Sequence, residues 1–179
     1  MEVVRGTTAE PTNASQRGFT MMELMVVVAI LGVLTRVALP VFTGDTRKRK
    51  ALSEVTAVIA ELSVREDQYK IEKGAYLVAP TCPATPAPTG QAYASCTIVN
   101  GPWDKLHVAL REKTLYCTYN VVIGSGVGTN NPSGFSFTSP IGSWYYVLAT
   151  CDMDNNSTTN ATYFASSVDQ RIQKQNEGY

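Results

Sequence analysis

The most constraining feature of this chain is an apolar run near its start. Residues 24–34 (LMVVVAILGVL) hold no polar side chain, and apolar character extends to Phe42 with only Thr35 and Arg36 interrupting. As a helix, Phe19 to Phe42 rises roughly 36 Å, enough to cross a bilayer core. Glu23 stands at the start of the run, where a lone carboxylate drawn into lipid costs up to a few kcal/mol. A secretory signal would show a basic start, a shorter apolar core and a small-residue cut after it. Here residues 1–18 are polar, and Pro40 closes the run. A plain signal or signal-anchor is therefore the weaker reading.

The order Arg17-Gly18-Phe19-Thr20-x-x-Glu23 ahead of a long apolar helix resembles the processing site of type IV prepilins, a group that includes the pseudopilins of type II secretion. The resemblance implies that a membrane aspartic peptidase cuts the Gly18–Phe19 bond and that the new amino-terminal Phe19 is methylated. It also implies that Glu23 pairs with the terminal amine of a neighbouring subunit. A partner amine at about 4 Å returns roughly 4 kcal/mol at an effective dielectric of 20, so assembly is favoured because it pairs the charge. Gly32 and Pro40 fall where pilins commonly carry helix-breaking residues, which implies local unwinding on entry into a filament. Arg36 departs from the family pattern, where a small residue is usual; its long side chain can snorkel to a membrane face.

The 179 residues suit one modest domain after loss of the leader, and the formal net charge is zero. Nothing in that balance argues for nucleic acid as a partner. Charge around the apolar run is ambiguous: Arg5 and Arg17 precede it, while Arg47–Lys50 follow it. By count alone the helix prefers the opposite orientation; the cut-site motif and the downstream cysteines outweigh the count.

From Ala51 the pattern turns amphipathic. Leu52, Val55, Ile59, Leu62 and Tyr69 recur at helical spacing, with Glu61–Arg65 and Glu66–Lys70 as i,i+4 pairs on the solvated sides. Gly74 reads as the C-cap, so a helix from Phe19 to Lys73 would be some 80 Å long. Tyr69 through Gly74 to Tyr76 also resembles the tyrosine–glycine–tyrosine exit of pilin first helices. Residues 77–92, with four prolines, read as an irregular loop. Four strands follow at Tyr93–Val99, Leu115–Ile123, Trp144–Thr150 and Ala161–Ser166, separated by turn-rich stretches at 124–134 and 152–160. Trp103 to Leu110 reads as a short helix or turn covering a sheet edge.

Cys82, Cys96, Cys117 and Cys151 allow three pairings in an exported domain. Cys82–Cys96, clipping the proline-rich loop, and Cys117–Cys151, tying two strands, form the favoured set. Asp152, Asp154 and Asn156 place oxygens at alternate positions, as an EF-hand loop begins, but without its turn glycine or bidentate glutamate. Two readings stand for this loop, a Ca²⁺ site and a polar turn capped by Asx side chains. The basic run Arg47–Lys50 reads as a solvated or subunit-bridging face rather than a nucleic-acid site.

The expected fold class is α+β, a pilin fold with a long amino-terminal helix packed on an antiparallel sheet. The expected segments are a cleaved leader (1–18), a transmembrane and polymerisation helix half (19–50) and a globular head (51–179). The expected function is that of a structural, non-enzymatic subunit of a type IV pilus, major or minor, with no required cofactor. Its partners would be the prepilin peptidase, other pilin subunits and an inner-membrane assembly platform, with no specific nucleic acid. It would be single-pass in the inner membrane and then part of a periplasm-spanning or cell-surface filament. A type II secretion pseudopilin is the alternative. From another class, a signal-anchored periplasmic binding domain that never polymerises also fits.

Overall fold

The structure is a computed structural model that describes residues 19–130, 132–154, 156 and 158–177, with the side chains of 37–45, 47 and 130 outside the described set. The chain forms two compact units, Met1–Pro40 and Val41–Tyr179. Helix α1 (Met21–Lys73) begins in the first and is completed in the second. After it come β1 (Ala79–Cys82), β2 (Gln91–Ala92), the short helix α2 (Pro102–Lys105), β3 (Thr114–Leu115) and β4 (Cys117–Ser125). The remaining strands are β5 (Gly128–Asn130), β6 (Phe137–Ser139), β7 (Ser143–Cys151), β8 (Ala161–Ser166) and β9 (Gln173–Gln175). Five of them build one antiparallel sheet in the order β1-β4-β7-β8-β9. A helix packed on an antiparallel sheet is the α+β arrangement that the sequence pattern leads one to expect.

The second unit is organised by one stripe of α1. Ala51, Val55, Val58, Ile59 and Leu62 are buried, and they recur every three or four residues as one helix face requires. They meet the sheet face formed by Cys117, Tyr119 and Val121 of β4, which pair with Cys151, Ala149 and Val147 of β7. Alternation along both strands sends every second side chain to this face. Leu52 does not belong to the stripe: it is 39% exposed, because it lies between the buried positions 51 and 55 on the helix flank. The helix ends at Gly74, whose φ of 83° and N–H bond to Lys70 O (2.8 Å) make the left-handed stop that glycine tolerates best.

Glu54 ties α1 to the sheet. Its carboxylate accepts the N–H groups of Tyr116 (2.8 Å) and Cys117 (3.0 Å) and the Tyr119 hydroxyl (2.8 Å). Two disulfides reinforce the same region: Cys117–Cys151 joins directly facing residues of β4 and β7, and Cys82–Cys96 closes the segment after β1.

The opposite sheet face carries a second, aromatic core. Trp144 and Phe164 are buried there with Phe135 and Phe137, and Tyr146 and Leu148 pack against them. The hairpin of β5 and β6 supplies the cover, with Phe137 edge-on to Trp144 at 5.3 Å between ring centroids.

Three sequence expectations are corrected here. Tyr93–Val99 is no strand: Tyr93–Ser95 is a 3-10 turn, because the hydroxyls of Ser95 and Thr97 donate to carbonyls three residues back and close the chain on itself. The proline-rich stretch 77–92 is not wholly irregular. It contains β1, an edge strand of the kind where proline is tolerated, and α2 covers it by donating the Trp103 indole N–H to Pro80 O at 2.9 Å. The turn-rich stretch 124–134 contains β5, whose pairing is fixed by its partner β6 rather than by its own glycine-rich residues.

Replacing Glu54 by alanine strands two backbone N–H groups and a buried phenol at once. The expected loss is about 2–4 kcal/mol of stability, read as a lower denaturation midpoint in detergent micelles, and Glu54→Gln should lose less.

Candidate assembly site

The first residue described is Phe19, and it is 86% exposed. Gly18 lies outside the described residues. Thr20 and Glu23 form a reciprocal cap at the start of α1. The Thr20 hydroxyl accepts the Glu23 N–H at 3.2 Å, while Glu23 Oε2 accepts both the Thr20 N–H and the Thr20 hydroxyl, each at 3.2 Å. This is the capping box of a Thr-x-x-Glu start, and it places a carboxylate at the positive end of the helix dipole. Glu23 thus already has a local hydrogen-bonding role in the isolated chain.

Behind this cap, as far as Arg36, every described side chain of the helix is exposed. Met21, Met22, Leu24–Val28, Ile30, Leu31, Val33 and Leu34 are all exposed or nearly so on every side of the helix. An apolar surface of this extent marks a face that lipid or protein covers. Gly32 has open space around it, so no packing in the chain itself asks for glycine there. Thr35 donates its hydroxyl to the carbonyls of Leu31 and Gly32, both at 3.0 Å. The backbone stays helical through Gly32 and Pro40; the Pro40 side chain is outside the described set. Among the described residues no helix is long and apolar enough to cross a membrane. The described side chains of the apolar run stop at Arg36, and residues 37–42, which complete the run in the sequence, fall outside them.

In the head, described residues of the late acidic loop hydrogen-bond one another. Asp152 Oδ1 and Asp154 Oδ1 accept the Asn156 N–H at 3.2 and 2.9 Å, and Asn156 Oδ1 accepts the Thr158 N–H at 3.3 Å. These are Asx turns. Among the described residues no group of three or more histidine, cysteine or acidic side chains could hold a metal ion.

One residue was misplaced by spacing alone. Glu66 does not pair with Lys70 on a solvated side; it is fully buried, and its Oε2 accepts the Leu77 N–H at 2.9 Å. The Lys70 ammonium instead donates to the Tyr76 hydroxyl at 3.2 Å and lies 4.3 Å from that ring's centroid. The signal was present: Glu66 follows Leu62 by four residues and so continues the buried stripe. Glu61 and Arg65 do pair, at 2.8 Å. Of the basic run, Lys48, Arg49 and Lys50 are exposed, with Lys50 Nζ 5.8 Å from the Tyr116 ring centroid.

Comparison with known proteins concerns the amino-terminal segment. Residues 13–35 match the model of the prokaryotic N-terminal methylation motif. The type II secretion system core protein G of Dickeya chrysanthemi is 41% identical over 64 residues, which is 34% of this chain and 39% of that protein. Its counterpart in Escherichia coli K12 is 39% identical over 64 residues, covering 34% and 41%. A fimbrial protein of Pseudomonas aeruginosa is 47% identical over 47 residues, covering 25% and 30%. The matched stretch therefore spans well under half the length of these relatives. No solved structure gives a significant match.

Because one oxygen each of Asp152, Asp154 and Asn156 is turned onto a backbone N–H of the loop itself, millimolar Ca²⁺ should leave the melting temperature unchanged. A rise in Tm that saturates with Ca²⁺ and disappears in Asp154→Ala would mean that the loop rearranges around the ion.

Proposed function

We propose that this chain, whose amino-terminal segment is of the prepilin type shared by type IV pilins and type II secretion pseudopilins, is a structural filament subunit that assembles through α1. The observation that carries the reading is the exposed apolar surface running back from Phe19 with one carboxylate, Glu23, at its head. In water that surface is unsustainable, and at roughly 25 cal/mol per Å² its burial is a large driving force for any process that covers it.

In this reading the prepilin peptidase removes residues 1–18 by cutting Gly18–Phe19, and methylation follows on Phe19. The helix half of residues 19–50 anchors the subunit as a single pass in the inner membrane, with Arg36 snorkelling, and an assembly platform lifts it into the filament. There Glu23 exchanges its cap on Thr20 for the terminal amine of a neighbouring subunit. That exchange replaces neutral donors with a cation, the stronger partner for a carboxylate. Gly32 and Pro40 let the backbone unwind as neighbouring helices close in. The head, residues 51–179, coats the fibre. The chemistry is done to this chain and none is assigned to it.

A pilus subunit, major or minor, is the first reading. The longer match to type II secretion core protein G, 64 residues against 47 for the fimbrial protein, favours a pseudopilin as the second. A signal-anchored binding domain would keep the anchor and use Glu23 only as a helix cap.

The amino-terminal mass, compared between cells with and without the prepilin peptidase, tests the reading directly. The expected product is a peptidase-dependent chain beginning at methylated Phe19; an intact leader, or a cut beyond Pro40, would sink it. Glu23→Ala should reduce incorporation into fibres by tenfold or more, about 1.4 kcal/mol, while leaving the monomer folded. Unchanged incorporation would favour the anchored binding domain.

A further inference from the structure

Glu66 is buried where α1 leaves for the sheet. One of its oxygens holds the Leu77 N–H; the other, Oε1, is buried without a hydrogen-bond partner. Three elements close around it. Asp67 of α1 and Tyr145 of β7 act on it electrostatically, and Tyr145 in turn lies close to Ser63 of α1 and to Tyr76 of the exit segment, whose hydroxyl takes the Lys70 ammonium. The Tyr145 hydroxyl lies near Ser63 but makes no hydrogen bond of good geometry, and its ring meets Tyr76 edge-on at 4.8 Å. None of these groups offers Glu66 a neutralising charge. Lys70 is taken by Tyr76, and Asp67 carries the same sign.

We infer that Glu66 is a proton-operated clasp: with its carboxyl protonated, Oε2 pins Leu77 and the helix exit is closed on the sheet, and loss of that proton releases residues 74–77. The bond to Leu77 is the only hydrogen bond on this carboxyl among the described residues, so the exit is held by the group whose charge the site cannot accommodate. Released, the carboxylate reaches water. The segment freed leads directly into β1, the sheet edge, so the join between helix and sheet responds to pH. The clasp lies wholly within the head and stands whichever fibre, if any, the subunit joins.

The sign follows from where the proton binds more tightly. Burial pushes the closed carboxyl up to about 7, against the lowering pull of the Leu77 N–H and with a further rise from Asp67, while the open carboxyl has the ordinary value of 4.5. The closed state is therefore fully favoured below pH 4.5 and weakens as pH rises to about 7. Above that both states are ionised and the effect levels off.

The test uses the full chain in detergent micelles, with the glutamate side chains ¹³C-labelled and amide hydrogen exchange followed at Leu77. The Glu66 carboxyl carbon should titrate near neutrality. Opening at Leu77, corrected for intrinsic exchange, should increase by up to about tenfold per pH unit between roughly pH 5 and 7 and then flatten. In Glu66→Gln the pH dependence should vanish. Glu54, which burial also pushes up, is read separately at the Tyr116 amide. A Glu66 midpoint in the ordinary carboxylate range overturns the inference, as does equal pH dependence at Leu77 in both proteins. If the glutamine variant does not fold, the Glu66 titration and the Leu77 profile of the unmodified chain decide the matter.

Discussion

The head of this protein depends on one stripe of α1 lying against one face of a sheet. Val55, Ile59 and Leu62 each bring about 1.5–3 kcal/mol of burial, but apolar contact alone does not fix the rotation of the helix about its axis. Carboxylates do. Glu54 takes the backbone of Tyr116 and Cys117, Glu61 takes the Ala109 N–H at 3.1 Å, and Glu66 takes the Leu77 N–H. Each reaches across to a different segment, so together they set which face of α1 the sheet receives. The cost is desolvation, and it is heaviest for Glu66, whose second oxygen has no donor among the described residues.

What the sequence disclosed follows from the range of the interactions involved. The helix, its stop at Gly74 and the strands β7 and β8 are written in local periodicity and turn chemistry and appear where the pattern puts them, whereas β4 starts at Cys117 rather than Leu115, which pairs with Gln91 in the separate β2–β3 sheet. β1, β5 and β9 are short, and each exists because a longer neighbour or a hairpin partner supplies its hydrogen bonds. Nothing within Gln173–Gln175 announces a strand. The amino-terminal motif was legible, since Gly18 to Glu23 is contiguous in the chain and lies within the matched residues 13–35. The roles of Glu54 and Glu66 were not, because their partners lie at Tyr116 and Leu77, beyond anything a helical spacing rule can see. For Glu66 the i,i+4 rule pointed to Lys70, and burial overrode it.

In the proposed assembly Glu23 would serve two conditions in turn. Within the chain it completes a reciprocal cap with Thr20, which satisfies helix donors that would otherwise be orphaned. That arrangement is worth on the order of 1 kcal/mol, small enough to be given up when a cation becomes available.

The sheet keeps the two cores of the head apart. Tyr119, Val121 and Val147 belong to the helix side, while Trp144, Phe164 and the hairpin residues Phe135 and Phe137 belong to the other. Side chains on opposite faces share no partner, so their substitutions should add rather than interact. The segment from Gly126 to Gly142 can therefore be lengthened, recoloured in charge or exchanged without the helix register being disturbed. A molecule arranged in this way has a surface that can diversify on one side while the other keeps the helix in register.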